Sequence, residues 1–379
     1  MIISCISIFQ IIKFLLKLSC GEIHSIGIGG EKMSEKSYHV AVVGATGAVG
    51  QKIIALLERV TKFNIEEITL LSSKRSAGKI VQFKGREIKI QEAKSTSFEG
   101  VDIAFFSAGG EVSRQYVNHA VSSGAIVIDN TSEYRMAHDV PLVVPEVNAH
   151  TLREHKRIIA VPNCSALQMV TALQPIRKSF GLERIIVSTY QAVSGSGIHA
   201  IHELKEQAKS MLTGEEVKST ILPAKKDKKH YPIAFNVLPQ VDIFTDNDFT
   251  FEEVKMIQET KKILEDPNLK MAATCVRVPV VSGHSESVYI ELEKEATVAE
   301  IKEVLLNAPG VILQDNPSEQ IYPTPLYAEG KRDTFVGRIR KDPDTSKGFH
   351  LWIVSDNLLK GAAWNSVQIA ETLVENGII

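Results

Sequence analysis

Cys164 is the residue in this chain whose type and setting most suggest chemistry. It follows an apolar run, Ile158 to Val161, that reads as a buried strand, and a break at Pro162 and Asn163. Beyond it Leu167, Val170, Thr171 and Leu173 fall at helical spacing. A cysteine at a strand-to-helix junction sits among backbone N–H groups with no intrahelical partner, at the positive end of the helix dipole. That environment favours the thiolate, which is the nucleophilic form. The alternative is an inert core thiol. Asn163 reads equally as a helix cap and, with the Cys164 N–H, as a donor to a tetrahedral oxyanion. One such donor is typically worth about 3–4 kcal/mol of barrier.

A second constellation lies upstream. Gly44, Gly47 and Gly50 form G-x-x-G-x-x-G between a β-branched run, Val40 to Val43, and a helical pattern through Ile53, Ile54 and Leu57. Glycines there let backbone approach a pyrophosphate at a helix N-terminus; the alternative is a tight turn with no ligand. Ile68 to Leu71 reads as the next strand. A domain that prefers NAD usually ends this strand with an acid that bonds the ribose 2′-hydroxyl. Here Ser72, Ser73, Lys74, Arg75 and Ser76 follow instead. Hydroxyls and a guanidinium suit a 2′-phosphate, so the expected cofactor is NADP. A solvated basic turn is the alternative.

These residues need a scaffold. Val101 to Phe106, Ala125 to Ile128 (with Arg135 in the loop beyond), Val140 to Asn148 and Ile158 to Val161 read as further strands. Alternation with helix-length segments predicts a parallel α/β sheet. After residue 180 the strands alternate in polarity, as in a mixed sheet of a second domain. Lys205 to Lys229 reads as a solvated helix and loop without chemistry. Lys360 to Ile379 reads as a helix that returns to the first domain. The expected division is therefore 38–163 completed by 357–379, with 164–356 as the second domain.

At 379 residues the chain suits two domains. Its net charge of −2 gives no electrostatic footprint for nucleic acid or an anionic membrane. Four scattered cysteines, Cys5, Cys20, Cys164 and Cys275, suggest no metal site and fit a reduced, cytoplasmic setting. Within residues 1–32, Ile2 to Cys20 is apolar but interrupted by Gln10, Lys13 and Lys17. The whole segment reads as upstream of a natural start at Met33, or as an N-terminal anchor; no integral membrane role is expected.

With GATGAVG, SSKRSAG, VPNCS, TYQAVSG, RVPV and GHSES in this order, the chain resembles the aspartate-β-semialdehyde dehydrogenases of the bacterial type from about Tyr38 onward. The resemblance implies a Rossmann-like NADP domain joined to an α/β dimerisation domain, as in glyceraldehyde-3-phosphate dehydrogenase, and a homodimer. It implies phosphate-dependent interconversion of L-aspartate 4-semialdehyde and L-4-aspartyl phosphate, toward lysine, methionine and threonine. It implies Cys164 as nucleophile, His284 as general acid and base, and Gln191 as the residue that orients substrate. Arg277 would hold the substrate carboxylate, Glu252 the ammonium, and Arg135 with Lys255 the phosphate. Glu253 remains open as an alternative to Glu252. Thr46, Gly47, Ala48, Val49, Arg75, Ser76, Ser194, Gly195 and Asn357 match cofactor positions.

The chemistry fits these types. A thiolate forms a thioester that accepts hydride. A histidine titrates near neutrality, and such a group contributes about 10²–10⁴-fold. If Phe251 to Leu264 is a helix, Glu252 and Lys255 share a face; a simple surface ion pair is the bland alternative. The rival enzyme is N-acetyl-glutamyl-phosphate reductase, which carries P-G-C-Y where this chain has Pro162-Asn163-Cys164-Ser165. The rival of another class is a non-catalytic NADP-sensing protein, which would not need Cys164, Gln191, Arg277 and His284 together.

Overall fold

The computed structural model describes residues 36–379; the segment 1–32, with Cys5 and Cys20, lies outside the described residues. The chain begins in β1 (Ser37–Val43), turns through the glycine segment into α1 (Ala48–Leu57), and returns in β2 (Asn64–Ser72). A small hairpin of β3 (Ile80–Phe83) and β4 (Arg86–Lys89) follows, then the short β5 (Gln91–Glu92). Next come β6 (Ile103–Phe106), α2 (Gly110–Ser122), β7 (Ile126–Asp129) and β8 (Ile158–Ala160). All contacts in this sheet are parallel, in the order β5-β2-β1-β6-β7-β8. β6 and β7 are buried at every position, as expected where both faces of a parallel sheet are covered.

One sequence expectation fails here. Val140 to Asn148 is not a strand: Leu142 forms a single bridge to Ala160, and Pro145–Asn148 is a helical turn. Pro141 and Pro145 lack the N–H groups that a ladder needs and stop the pairing there.

α3 (Cys164–Phe180) opens the second half, followed by β9 (Arg184–Gln191) and α4 (Ile198–Thr213). The chain continues through α5 (Phe251–Ile263), β10 (Lys270–Arg277), β11 (His284–Glu291), α6 (Val298–Leu306), β12 (Val311–Leu313), β13 (Thr334–Lys341) and β14 (Gly348–Ser355). The second sheet has the order β10-β9-β11-β14-β13-β12 and mixes parallel and antiparallel pairs. β9 alternates buried and outward positions, so one face of this sheet packs on helices and the other is open. Ile186 and Tyr190 are exposed on that open face, and Tyr190 packs against Trp352.

Beyond β14 the chain forms a wide π-helical segment, Leu359–Trp364, and then α7 (Asn365–Glu375). α7 packs against α1 and β7, back on the first sheet. Inside the wide segment Lys360 is fully buried and paired with Glu146 at 2.6 Å. Its neighbour Gly361 faces the start of α3: a Cβ there would stand 2.6 Å from the Cys164 Cβ. π-helical segments recur at functional sites, and here the widened turn brings backbone against Cys164.

Candidate active site

α3 starts where its N-terminal N–H groups meet a built cap. The Asn163 Oδ1 accepts from Ser165 N at 2.9 Å and Ala166 N at 3.2 Å, a cap of the kind worth about 1 kcal/mol. Its Nδ2 donates to Glu252 at 2.8 Å. The Asn163 side chain is therefore engaged as cap and tether, while the Cys164 N–H stands in the first turn, where no intrahelical acceptor exists.

Cys164 borders a cavity of about 420 Å³, also lined by Arg135, Asn163, Gln191, Gly195, Glu252, Lys255, Arg277, His284, Asn357 and Val49. Strand register explains part of this convergence. Arg277 ends β10 directly beside Gln191 at the end of β9, and His284 begins β11. Gln191 Nε2 donates to Glu252 at 3.1 Å and to Ser165 Oγ at 2.9 Å. Arg277 Nη1 donates to the Ala192 carbonyl at 2.7 Å. Gly195 leaves space: a Cβ there would sit 3.2 Å from Arg277 and 3.4 Å from His284 Nε2. Ser194 and Asn357 bond one another, and Asn357 Oδ1 accepts from Gly283 N at 3.0 Å.

His284 is fully buried, and its Nδ1 accepts the Ala192 N–H at 3.0 Å. A backbone N–H only donates, so the neutral ring carries its proton on Nε2. That atom has no protein partner among the described residues. Burial and the Arg277 charge lower its pKa to about 3. The ring is thus neutral and set to donate from Nε2. Of the acid and base roles expected of His284, this geometry presents the donor.

The thiol also differs from expectation. Burial and the Glu252 carboxylate push it up to about 12, against the pull of Arg135, Arg277 and Lys255. The helix terminus alone does not set this group; a carboxylate distant in sequence opposes it.

α5 supplies the acids and bases. Thr250 caps it in a reciprocal pair with Glu253, whose other oxygen accepts from Cys275 N at 3.0 Å. Glu253 is thereby used in the scaffold, and Glu252 lines the cavity. Burial would raise the Glu252 pKa, but Lys255 at 2.8 Å, Asn163 and Gln191 bring it down to about 2. Burial also works against the Lys255 ammonium, yet Glu252 and Asp242 hold its pKa above the ordinary value. This ion pair is not on the surface. Asp242, in the cavity wall, was not signalled by the sequence, nor were Pro223, Ala224 and Lys225. These three fall within the lysine-rich stretch expected to have no chemistry. Glu259 and Lys262 continue the Glu252–Lys255 stripe along α5; that spacing was the available signal for them.

The glycine turn builds a second cavity of about 480 Å³, lined by Gly44, Thr46, Gly47, Ser72, Ser73, Lys74, Glu92, Ser107 and Ala108. Gly44 has φ +91°, and a Cβ on Gly50 would collide with the Gly44 carbonyl. Gly47 caps α1, Ala48 opens it, and Thr46 Oγ1 bonds Ser72 Oγ at 3.0 Å. This backbone-lined hollow fits a dinucleotide phosphate. Of the basic turn, Ser73 and Lys74 reach the cavity wall; Arg75 is exposed and Ser76 is buried in the turn.

The sequence matches two family models: "Semialdehyde dehydrogenase, NAD binding domain" over residues 39–155, and "Semialdehyde dehydrogenase, dimerisation domain" over residues 173–360. These define an oxidoreductase with a nicotinamide-binding half and a dimerising half. The chain is 61% identical to the aspartate-semialdehyde dehydrogenase of Bacillus subtilis (strain 168), covering 91% of this chain and 99% of the relative. It is 50% identical to that of Aquifex aeolicus (strain VF5), covering 90% and 99%. The chain belongs to the aspartate-semialdehyde dehydrogenase family. Among solved structures, aspartate semialdehyde dehydrogenase II complexed with ASA from Vibrio cholerae matches with a TM-score of 0.84 and 43% identity over 90% of this chain and 99% of that one. Aspartate semialdehyde dehydrogenase with NADP from Candida albicans matches with a TM-score of 0.70 and 27% identity over 91% and 100%.

Proposed function

We propose that this protein is an NADP-dependent enzyme interconverting L-4-aspartyl phosphate and L-aspartate 4-semialdehyde. The observation that carries this reading is the single cavity in which Cys164, His284, Arg277, Glu252, Lys255 and Arg135 meet. A substrate with a carboxylate, an ammonium and a phosphate finds a complementary charge for each. Arg277 receives the carboxylate, Glu252 the ammonium, and Arg135 with Lys255 the phosphate. Gln191, fixed by Ser165 and Glu252, orients the substrate.

In the reductive direction the Cys164 thiolate attacks the acyl phosphate carbonyl, and phosphate leaves toward Arg135. The bound nicotinamide supplies hydride in this direction and accepts it in the other. The Cys164 N–H and the His284 Nε2–H stabilise the oxyanion at each tetrahedral stage. Collapse of the thiohemiacetal oxyanion frees the aldehyde and returns the Cys164 thiolate. The substrate ammonium offsets the Glu252 charge and so weakens the carboxylate's part, beside that of burial, in holding the thiol protonated.

NADP is preferred to NAD through Ser73, Arg75 and Ser76, supported by the absence of an acid at the end of β2. Gly44, Thr46, Gly47, Ala48, Val49 and Gly50 hold the pyrophosphate side, and Ser194, Gly195 and Asn357 the nicotinamide side. The cofactor domain comprises 38–163 completed by 357–379, and 164–356 forms the catalytic and dimerisation domain. The open face of the second sheet, with Ile186 and Tyr190, receives the second copy of a homodimer.

The test is reduced-nicotinamide absorbance with semialdehyde, NADP and inorganic phosphate. Phosphate-dependent reduction is expected. A folded sample silent with and without phosphate overturns the reading.

A further inference from the structure

α5 carries Glu252, Lys255, Glu259 and Lys262 at successive helical spacings. One end grips the nucleophile's turn, through Asn163 Nδ2 on Glu252. The other grips the Arg135 loop: Lys262 donates to the carbonyls of Arg135, Ala137 and Val140, each at 2.8 Å. Glu259 lies between them, 1% exposed. One of its oxygens accepts the Asn163 N–H at 2.6 Å; the other accepts Arg135 Nη1 at 3.1 Å. Arg135 Nη2 donates to the Asn130 carbonyl at 2.9 Å, and its buried Nε has no partner among the described residues. Neither donor to Glu259 belongs to α5. A carboxylate suits this place because it has two acceptors facing two donors. An amide has one acceptor and would set N–H against N–H at one contact.

We infer that Glu259 is a positioning residue: one carboxylate fixes the phosphate-binding arginine relative to the turn that carries Cys164. The spacing between the acyl carbonyl and its leaving or attacking phosphate is thereby set by a buried acid that touches neither. This rests on the reading that Arg135 binds phosphate.

The test is Glu259→Gln, assayed in the oxidative direction with each substrate varied. The phosphate KM is expected to rise about tenfold, while the semialdehyde KM moves less than about twofold. In an Arg135→Ala background the same substitution is expected to change the phosphate KM by less than about twofold, because its effect passes through the arginine. Where that background turns over too slowly, phosphate protection of Cys164 against iodoacetamide gives the equivalent measure. A phosphate KM unchanged by Glu259→Gln, or both KM values moving together in either background with a lowered Tm, overturns the inference. If Glu259→Gln does not fold, Glu259→Asp keeps both acceptors but draws them back by one methylene, and is read by the same criteria. Loss of all phosphate dependence in the wild type overturns the parent reading as well. Phosphate dependence without a response to Glu259 overturns this inference alone.

Discussion

The two cavities are built by opposite means. The cofactor turn is made of backbone and missing side chains: Gly44 at positive φ, Gly50 against the Gly44 carbonyl, small residues at Ser107 and Ala108. The reaction cavity is made of buried charges, each held by another: Glu252 by Lys255 and Asn163, Arg135 by Glu259, His284 by a backbone N–H. The first recognises by the shape of its backbone, with charge placed only at its rim. The second works by electrostatic balance, so removing one partner changes the state of the next.

The largest break between them comes from Cys164→Ala. Turnover should fall by at least ~10⁴-fold, while NADP binding, followed by fluorescence titration, stays close to wild type. Joint loss would show that the two cavities are not separable. Next in size is Arg75→Ala, which should weaken NADP by about 10–100-fold through lost charge-assisted bonds and leave NAD almost unchanged. Equal losses would refute the 2′-phosphate role. The smallest effect sharpens the contrast most. With the thiol at about 12, the wild-type thiolate fraction and the alkylation rate at Cys164 rise with pH across the neutral range. Glu252→Gln removes a charge that raises that pKa, so the profile moves to lower pH. At fixed pH the Cys164 peptide, read by mass spectrometry, should be alkylated roughly tenfold faster even as semialdehyde binding weakens. A slower rate in the variant would refute the role of Glu252 in holding the thiol protonated.

The same contrast explains what could be read from sequence. The cofactor turn is local: strand, glycines and helix lie within one short stretch, so their order alone gives it away. Cys164 at the start of α3 was legible for the same reason. The strand expected over Val140 to Asn148 was not real, because apolar content outweighed two prolines in the reading. The fate of Glu253 needed the Thr250 cap and the Cys275 N–H to be seen. Glu259 was not singled out, since its partners lie 96 and 124 residues away along the chain. The raised thiol was hidden because its burial, and the nearness of the Glu252 charge, arise only in three dimensions.

Gly361 gives the reaction chamber a consequence in time. The backbone that walls in the Cys164 side chain is translated long after the cysteine itself. A chain that stops between the two lacks this wall beside the Cys164 side chain.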